Sequence, residues 1–242
     1  MRSGIHVPLT RRDAKKLLCS LLLFELFLVM VYILDSLVGV QSPIHKLFNL
    51  DSESTIPAWF SSMQLCLVGI LFLCSWVGAV KQKADSRLFF LMVGLGFLFL
   101  SMDEAAEFHE KLTRVLTHIE WLPQFTGGLW IPLYLSALAI FGIAGRRLIA
   151  AIWKAYPHES LVVAAGFAII LVGSVGLEII THLFWKDGNS PVLYRTEVVF
   201  EEFFEMAGTS VVLYGALLYA LRTSGSVVVP KAQARLQPGG DE

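Results

Sequence analysis

The chain has 242 residues, of which 55% are hydrophobic and 16% charged, with a mean hydropathy of +0.65. Soluble domains carry about 25% charged residues, so this composition excludes an ordinary water-soluble globule and places the chain in a bilayer. Its 19 basic and 20 acidic residues nearly cancel, which leaves no basic footprint for a nucleic-acid partner.

A membrane helix needs about 20 mostly apolar residues, and six runs qualify. The first, 17–40, follows Arg11, Arg12, Lys15 and Lys16. It is longer than the roughly 7–15 residues of a signal-peptide core and no A-x-A-like site follows, so it reads as a retained anchor. Glu25 stands alone within it, either as a separate functional carboxylate or as a helix-packing residue, and Asp35 lies near its far end. The second run spans 58–80. The third, 88–107, passes straight from "LFFLMVGLGFLFL" into "SMDEAAEFHE" (Ser101–Glu110). The fourth is 127–148, the fifth 161–184 with "LEIITH" near its end, and the sixth 196–221, containing "EEFFE" (Glu201–Glu205). The fold expected is an all-α polytopic membrane helical bundle, with residues 1–221 as one bundle and 222–242 as a disordered cytoplasmic tail. Cys19, Cys66 and Cys74 all fall inside apolar runs and read as small hydrophobes rather than a disulfide framework.

Orientation follows from Lys and Arg in the short connections. Fourteen lie in the N-terminal tail, the 81–87 and 146–154 stretches and the C-terminal tail, against five on the opposite side. This bias predicts cytoplasmic N and C termini. Trp59, Trp121, Trp130 and Trp185 then mark the outer interface, and Trp76 and Trp153 the inner one.

With that topology the ionisable residues of three runs gather near the outer leaflet. At 100° per residue, Asp103, Glu107 and Glu110 fall within about 60° of one another on a continuous helix. Glu197, Glu201 and Glu205 share a face, and Glu178 and His182 are four residues apart, with Ser174 one turn inward. Glu104 adjoins this set, whereas Glu202 and His109 point away from the acidic faces of their own helices. Carboxylates crowded in a poorly hydrated site repel one another, and a cation between helices relieves this, as in the carboxylate-bridged di-metal bundles. Each acid also has a plainer role open to it. Glu107–Lys111 and Glu110–Arg114 have the spacing of exposed ion pairs worth a few tenths of a kcal/mol, and Glu178 has a buried partner available in His182 or Arg195. The sequence contains no H-E-x-x-H, G-x-S-x-G, P-loop or C-x-x-C motif.

"LSMDEAAEFHEKL" (Leu100–Leu112) resembles a set of small bacterial multi-span proteins with an L-S-x-D-E-x-x-x-x-H-E signature. The resemblance implies a multi-pass protein of the bacterial inner (plasma) membrane and carries no activity. "EEFFE" contains the E-x-x-E spacing of iron permeases without the arginine directly before it. Ser101, Asp103 and His182 are similar to parts of the site of transmembrane zinc hydrolases related to alkaline ceramidase, but the paired H-x-x-x-H is missing.

The leading expectation is a divalent-metal site open to the outer side, with Glu107, Glu178, His182, Glu201 and Glu205 as core ligands and Asp103 and Glu104 in or beside them. His109, Glu110, Glu197 and Glu202 are secondary candidates. An oxygen-rich set with few nitrogens and no thiolate favours iron or manganese, with zinc as the alternative. A metal-dependent membrane oxidoreductase or hydrolase fits such a site. A proton- or cation-coupled transporter would use the same acids as a relay. A non-catalytic assembly or sensory subunit would fill the acidic site with a basic residue of a membrane partner. The bilayer is the expected partner, with a homo-oligomer or a partner subunit left open.

Overall fold

In a bilayer every backbone N–H and C=O must find its partner within the protein, so apolar runs of this length become helices. The computed structural model describes residues 10–38, 43–119, 130–177 and 191–224, and all regular structure among them is helical. In chain order the helices are α1 (Arg11–Val38), α2 (Pro43–Phe48), α3 (Ile56–Lys81), α4 (Arg87–Ala106), α5 (Phe108–Leu116), α6 (Trp130–Ala144), α7 (Arg146–Ala155), α8 (Pro157–Leu171) and α9 (Pro191–Thr223). A π-helical turn, Val172–Leu177, prolongs α8. Thr10 and Asp13 exchange backbone-to-side-chain hydrogen bonds at the start of α1, and Thr55 caps α3 by accepting from the Ala58 N–H.

Five helices are long and apolar enough to cross a membrane: α1, α3, α4, α8 with its π-turn, and α9. A sixth span requires α6 and α7 together, and these bend by 69° at their junction. The fourth apolar run therefore stops short of its expected end at 148. Gly145 explains the bend: a Cβ there would lie 2.6 Å from the Phe141 carbonyl oxygen, so only glycine fits. Beyond it α7 carries Arg146, Arg147 and Lys154 and buries Ile152.

The hub is α9, whose apolar window is 78% buried against 17–39% for the other four full-length spans. It meets α8 through glycine. A Cβ on Gly166 would come within 2.8 Å of the Gly208 carbonyl oxygen, so the two backbones touch, the close approach that small residues permit in membranes. Below this contact Phe72, Phe90, Phe97 and Tyr219 form a ring cluster, with Phe72 stacked on Phe97 at 6.0 Å and Phe90 edge-on to Tyr219 at 5.2 Å. At the basic end the buried Glu159 accepts from Arg222 at 2.8 Å and Arg11 at 3.4 Å, tying the two ends of the bundle's chain to α8. Halfway along, Glu25, Gln64 and Ser210 join α1, α3 and α9. Gln64 Nε2 donates to Glu25 Oε1 at 2.9 Å and to Ser210 Oγ at 2.7 Å, and Ser210 Oγ donates to Glu25 Oε1 at 2.6 Å. All three side chains are fully buried. Glu25 is thus a helix-joining residue, whatever else it does.

Gln64→Leu removes both amide donors and leaves buried polar atoms short of partners, which costs about 1–3 kcal/mol. Thermal unfolding of the detergent-solubilised variant is expected to show that loss, and an unchanged midpoint would mean the three-helix junction contributes nothing.

Candidate functional site: an acid–histidine cavity

A cavity of about 340 Å³ opens at the end of the bundle where α3 begins and α4 ends. Ser61 and Leu65 of α3, Leu100, Asp103 and Glu104 of α4, and His109 of α5 form one side. Trp130 and Tyr134 of α6 and Ile170 and Ser174 of α8 and its π-turn form another, while Glu201, Glu202, Glu205 and Thr209 come from α9. Glu53, on the connection between α2 and α3, closes the rim.

Local backbone geometry sets the positions. Ser62 and Ser101 each donate from the hydroxyl to the other's carbonyl oxygen at 2.8 Å, which fixes the ends of α3 and α4 against each other. The expected continuous helix through Glu110 does not form. Glu107 adopts φ 53°, ψ 40°, the left-handed region, and ends α4. For a residue with a Cβ that conformation costs roughly 1–2 kcal/mol. Asp103 offsets it: its Oδ1 accepts the His109 backbone N–H at 2.9 Å and its Oδ2 meets His109 Nδ1 at 3.1 Å. The break swings His109, which a straight helix would aim away from Asp103, back over it. At the other wall a Cβ on Gly173 would lie 3.1 Å from the Glu201 carbonyl oxygen, so its absence lets the π-turn reach α9 beside Glu201 and Glu205. Single π-turns inside helices recur at functional sites.

His109 is the centre of the arrangement. Asp103 engages Nδ1, so Nε2 is the ring nitrogen left for another partner, the relation by which carboxylates orient metal-binding imidazoles. One ligand atom each from Glu53, His109 and Glu110 lies within 4.8 Å of the others, so this trio could hold a metal ion. The His109 ring packs against Trp130 at 5.2 Å, and Trp130 against Tyr134 at 5.7 Å. The Tyr134 hydroxyl is in hydrogen-bonding reach of Asp103, and Glu104 of Ser61. Burial pushes the Glu53 carboxyl up to about 7, reinforced by Glu104, Glu110 and Glu107 and opposed by His109.

Of the residues singled out in sequence, Asp103, Glu104, His109, Glu201, Glu202 and Glu205 line the one cavity. Glu107 is partly buried and does not line the cavity; it lies 3.9 Å from both Lys111 and Arg114, and Glu110 pairs with Arg114 at 3.1 Å, so the expected ion pairs do form. Glu197 is partly buried on α9 and is not part of the cavity wall. Asp35 meets His45 of α2 at 2.7 Å. Glu178 and His182 lie outside the described residues, although Ser174, one turn before Glu178, is on the wall. Sequence reasoning passed over Glu53, which sits in a polar connection with no helical periodicity to mark it. It also passed over Tyr134 and Trp130, whose place on α6 looks like lipid-facing aromatic content.

Fold and cavity together define a class, a multi-span helical bundle with an acid–histidine cavity at one end. The chain belongs to the family of the domain of unknown function DUF8692, whose model matches residues 18–221. That match takes in every element lining the cavity. Comparison with curated proteins and with solved structures gives no match.

Two outcomes follow. Because Gly is as comfortable as any residue at φ 53°, Glu107→Gly is expected to unfold within about 0.5 kcal/mol of the parent, while Glu107→Ile loses about 1–2 kcal/mol. A continuous helix would reverse that order. In metal-free protein, Glu53 binds its proton more tightly folded than unfolded, so its stabilising contribution is complete below about 4.5 and is lost as pH rises through about 7. The unfolding midpoint should fall across that window, and Glu53→Gln should flatten the fall. An identical pH profile in the variant would refute the assignment.

Proposed function

We propose that this protein is a metal-dependent membrane enzyme of the bacterial inner membrane, with a carboxylate–histidine site for a divalent metal facing the outer leaflet. The observation that carries the reading is the uncompensated acid at a half-buried site. Glu53, Glu104 and Glu202 surround the cavity, and among the described residues no Lys or Arg forms an ion pair with any of them. Carboxylates crowded together out of water are relieved by a counter-cation or by protons, and a cation serves several of them at once. Near them His109 is held by Asp103 through Nδ1 and lies with Glu53 and Glu110 in the group that could hold a metal ion. The concentration of Lys and Arg at the opposite end supports the orientation.

His109, Glu53 and Glu110 would be the ligands on one wall. Glu201 and Glu205, with Glu178 and His182 following Ser174, would supply the other. Carboxylates with one or two imidazoles and no thiolate favour iron or manganese over zinc. A divalent metal there supplies Lewis acidity toward water or a substrate oxygen. Asp103 holds the imidazole in one orientation, Glu104 and Glu202 can take or return a proton at the cavity floor, and Trp130 and Tyr134 limit access of bulk water.

A second reading, a proton- or cation-coupled carrier, is favoured by the buried Glu25–Gln64–Ser210 junction. Gln64 lies one turn beyond Ser61, and Ser210 follows Thr209, so polar side chains continue inward from the cavity.

Elemental mass spectrometry on detergent-purified protein separates the two readings. Stoichiometric iron, manganese or zinc is expected, falling at least ten-fold (about 1.4 kcal/mol or more) in affinity in His109→Ala/Glu53→Gln. A parallel loss in Glu201→Ala/Glu205→Ala would show that both walls contribute. No metal in the parent protein would sink the enzyme reading in favour of the carrier.

A further inference from the structure

A second hollow adjoins the acid–histidine cavity. It has a volume of about 470 Å³ and lies between α4 and α6, at depths the hydropathy places within the bilayer. Its walls are Met92, Gly96 and Phe99 of α4 and Leu133, Ala137 and Phe141 of α6, with Tyr134 as its one polar side chain. The two hollows share Leu100, Tyr134, Leu138 and Phe167, so they adjoin along a common wall.

Three observations say what occupies this hollow. Gly96 faces it with nothing within 4 Å of an added Cβ, so the groove is open space rather than loosely packed core. α6 touches α4 through its first aromatic turn, where Phe99 and Tyr134 lie 6.3 Å apart, while most of its remaining length is exposed. The gap is therefore not filled by α6, and the side chains that flank it are almost all apolar. Finally, Tyr134 stands at the junction, lining both hollows, with Asp103 on the wall of the acid–histidine cavity.

The geometry points to an amphiphile of the lipid class as the ligand of this protein, its single apolar chain lying between α4 and α6 and its polar end beside Tyr134, Asp103 and His109. This rests on the reading of the acid–histidine cavity as the reactive site and names its substrate class. The groove wall covers about two turns of each helix, from Met92 to Leu100 and from Leu133 to Phe141, about 12 Å at 1.5 Å per residue. A chain segment fits that length, and the combined hollow is within the roughly 300–1,000 Å³ of small-molecule sites.

The test uses the full-length protein in lipid nanodiscs and a monoacylglycerol with a photoactivatable diazirine. With the diazirine at the chain end, adducts mapped by peptide mass spectrometry should concentrate on 92–100 and 133–141, well above those on the exposed α1 face at Phe27. Moving the diazirine to the glycerol should shift adducts to Trp130 and Tyr134. Gly96→Leu and, separately, Ala137→Phe should cut groove adducts several-fold while leaving the Phe27 signal and the bound metal unchanged. Equal labelling of groove and α1 face, no shift between probes, or no loss in either variant would overturn the inference. Metal is measured in the same samples. Metal without groove labelling removes the amphiphile alone, and groove labelling without metal removes the metal reading while the amphiphile stands.

Discussion

One carboxylate holds two donors of the same residue, and the functional end of the molecule depends on it. Asp103 accepts both the backbone N–H and the ring Nδ1–H of His109. Hydrogen bonds to an ionised acceptor are roughly twice as strong as neutral ones, enough to sustain the left-handed conformation of Glu107 between them. From that turn follow the direction of α5 and the tilted contact of the His109 ring with Trp130 of α6.

The bundle around this turn is built to place charge where water is scarce without scattering it. The glycine contacts of α9 with α8 draw the hub helix close, and the phenylalanine cluster fills the half toward the basic end. The acids are thereby left with one enclosed space at the other end. Glu202 sits within reach of Glu104, Glu201, Glu53 and Asp51, an arrangement that repels itself unless a cation or protons intervene. An apolar hollow between α4 and α6 adjoins this cavity, and Tyr134 lines both.

The exposed pairs temper this picture in a useful way. Arg114 engages both Glu107 and Glu110, and at such exposure these bonds are worth little. Glu110, one of the trio that could hold a metal ion, is therefore only weakly held by Arg114, while Glu107 ends α4 and does not line the cavity.

The sequence by itself determined the helices and the end of the bundle at which the acids lie. Hydropathy and Lys/Arg bias are sums over neighbouring residues, and a bilayer enforces them segment by segment. Asp103, Glu104, Glu201 and Glu205 were legible in that way, because each interrupts or ends an apolar run. Tertiary structure alone decided which of the acids His109 would join. A straight-helix projection turned His109 away from the acidic face, and one residue at positive φ reversed that. Glu53 entered from a connection with no periodicity, and a 69° bend divides α6 from α7 within one apolar run. These features depend on a single backbone torsion and on distances between helices, which no pattern along one helix records.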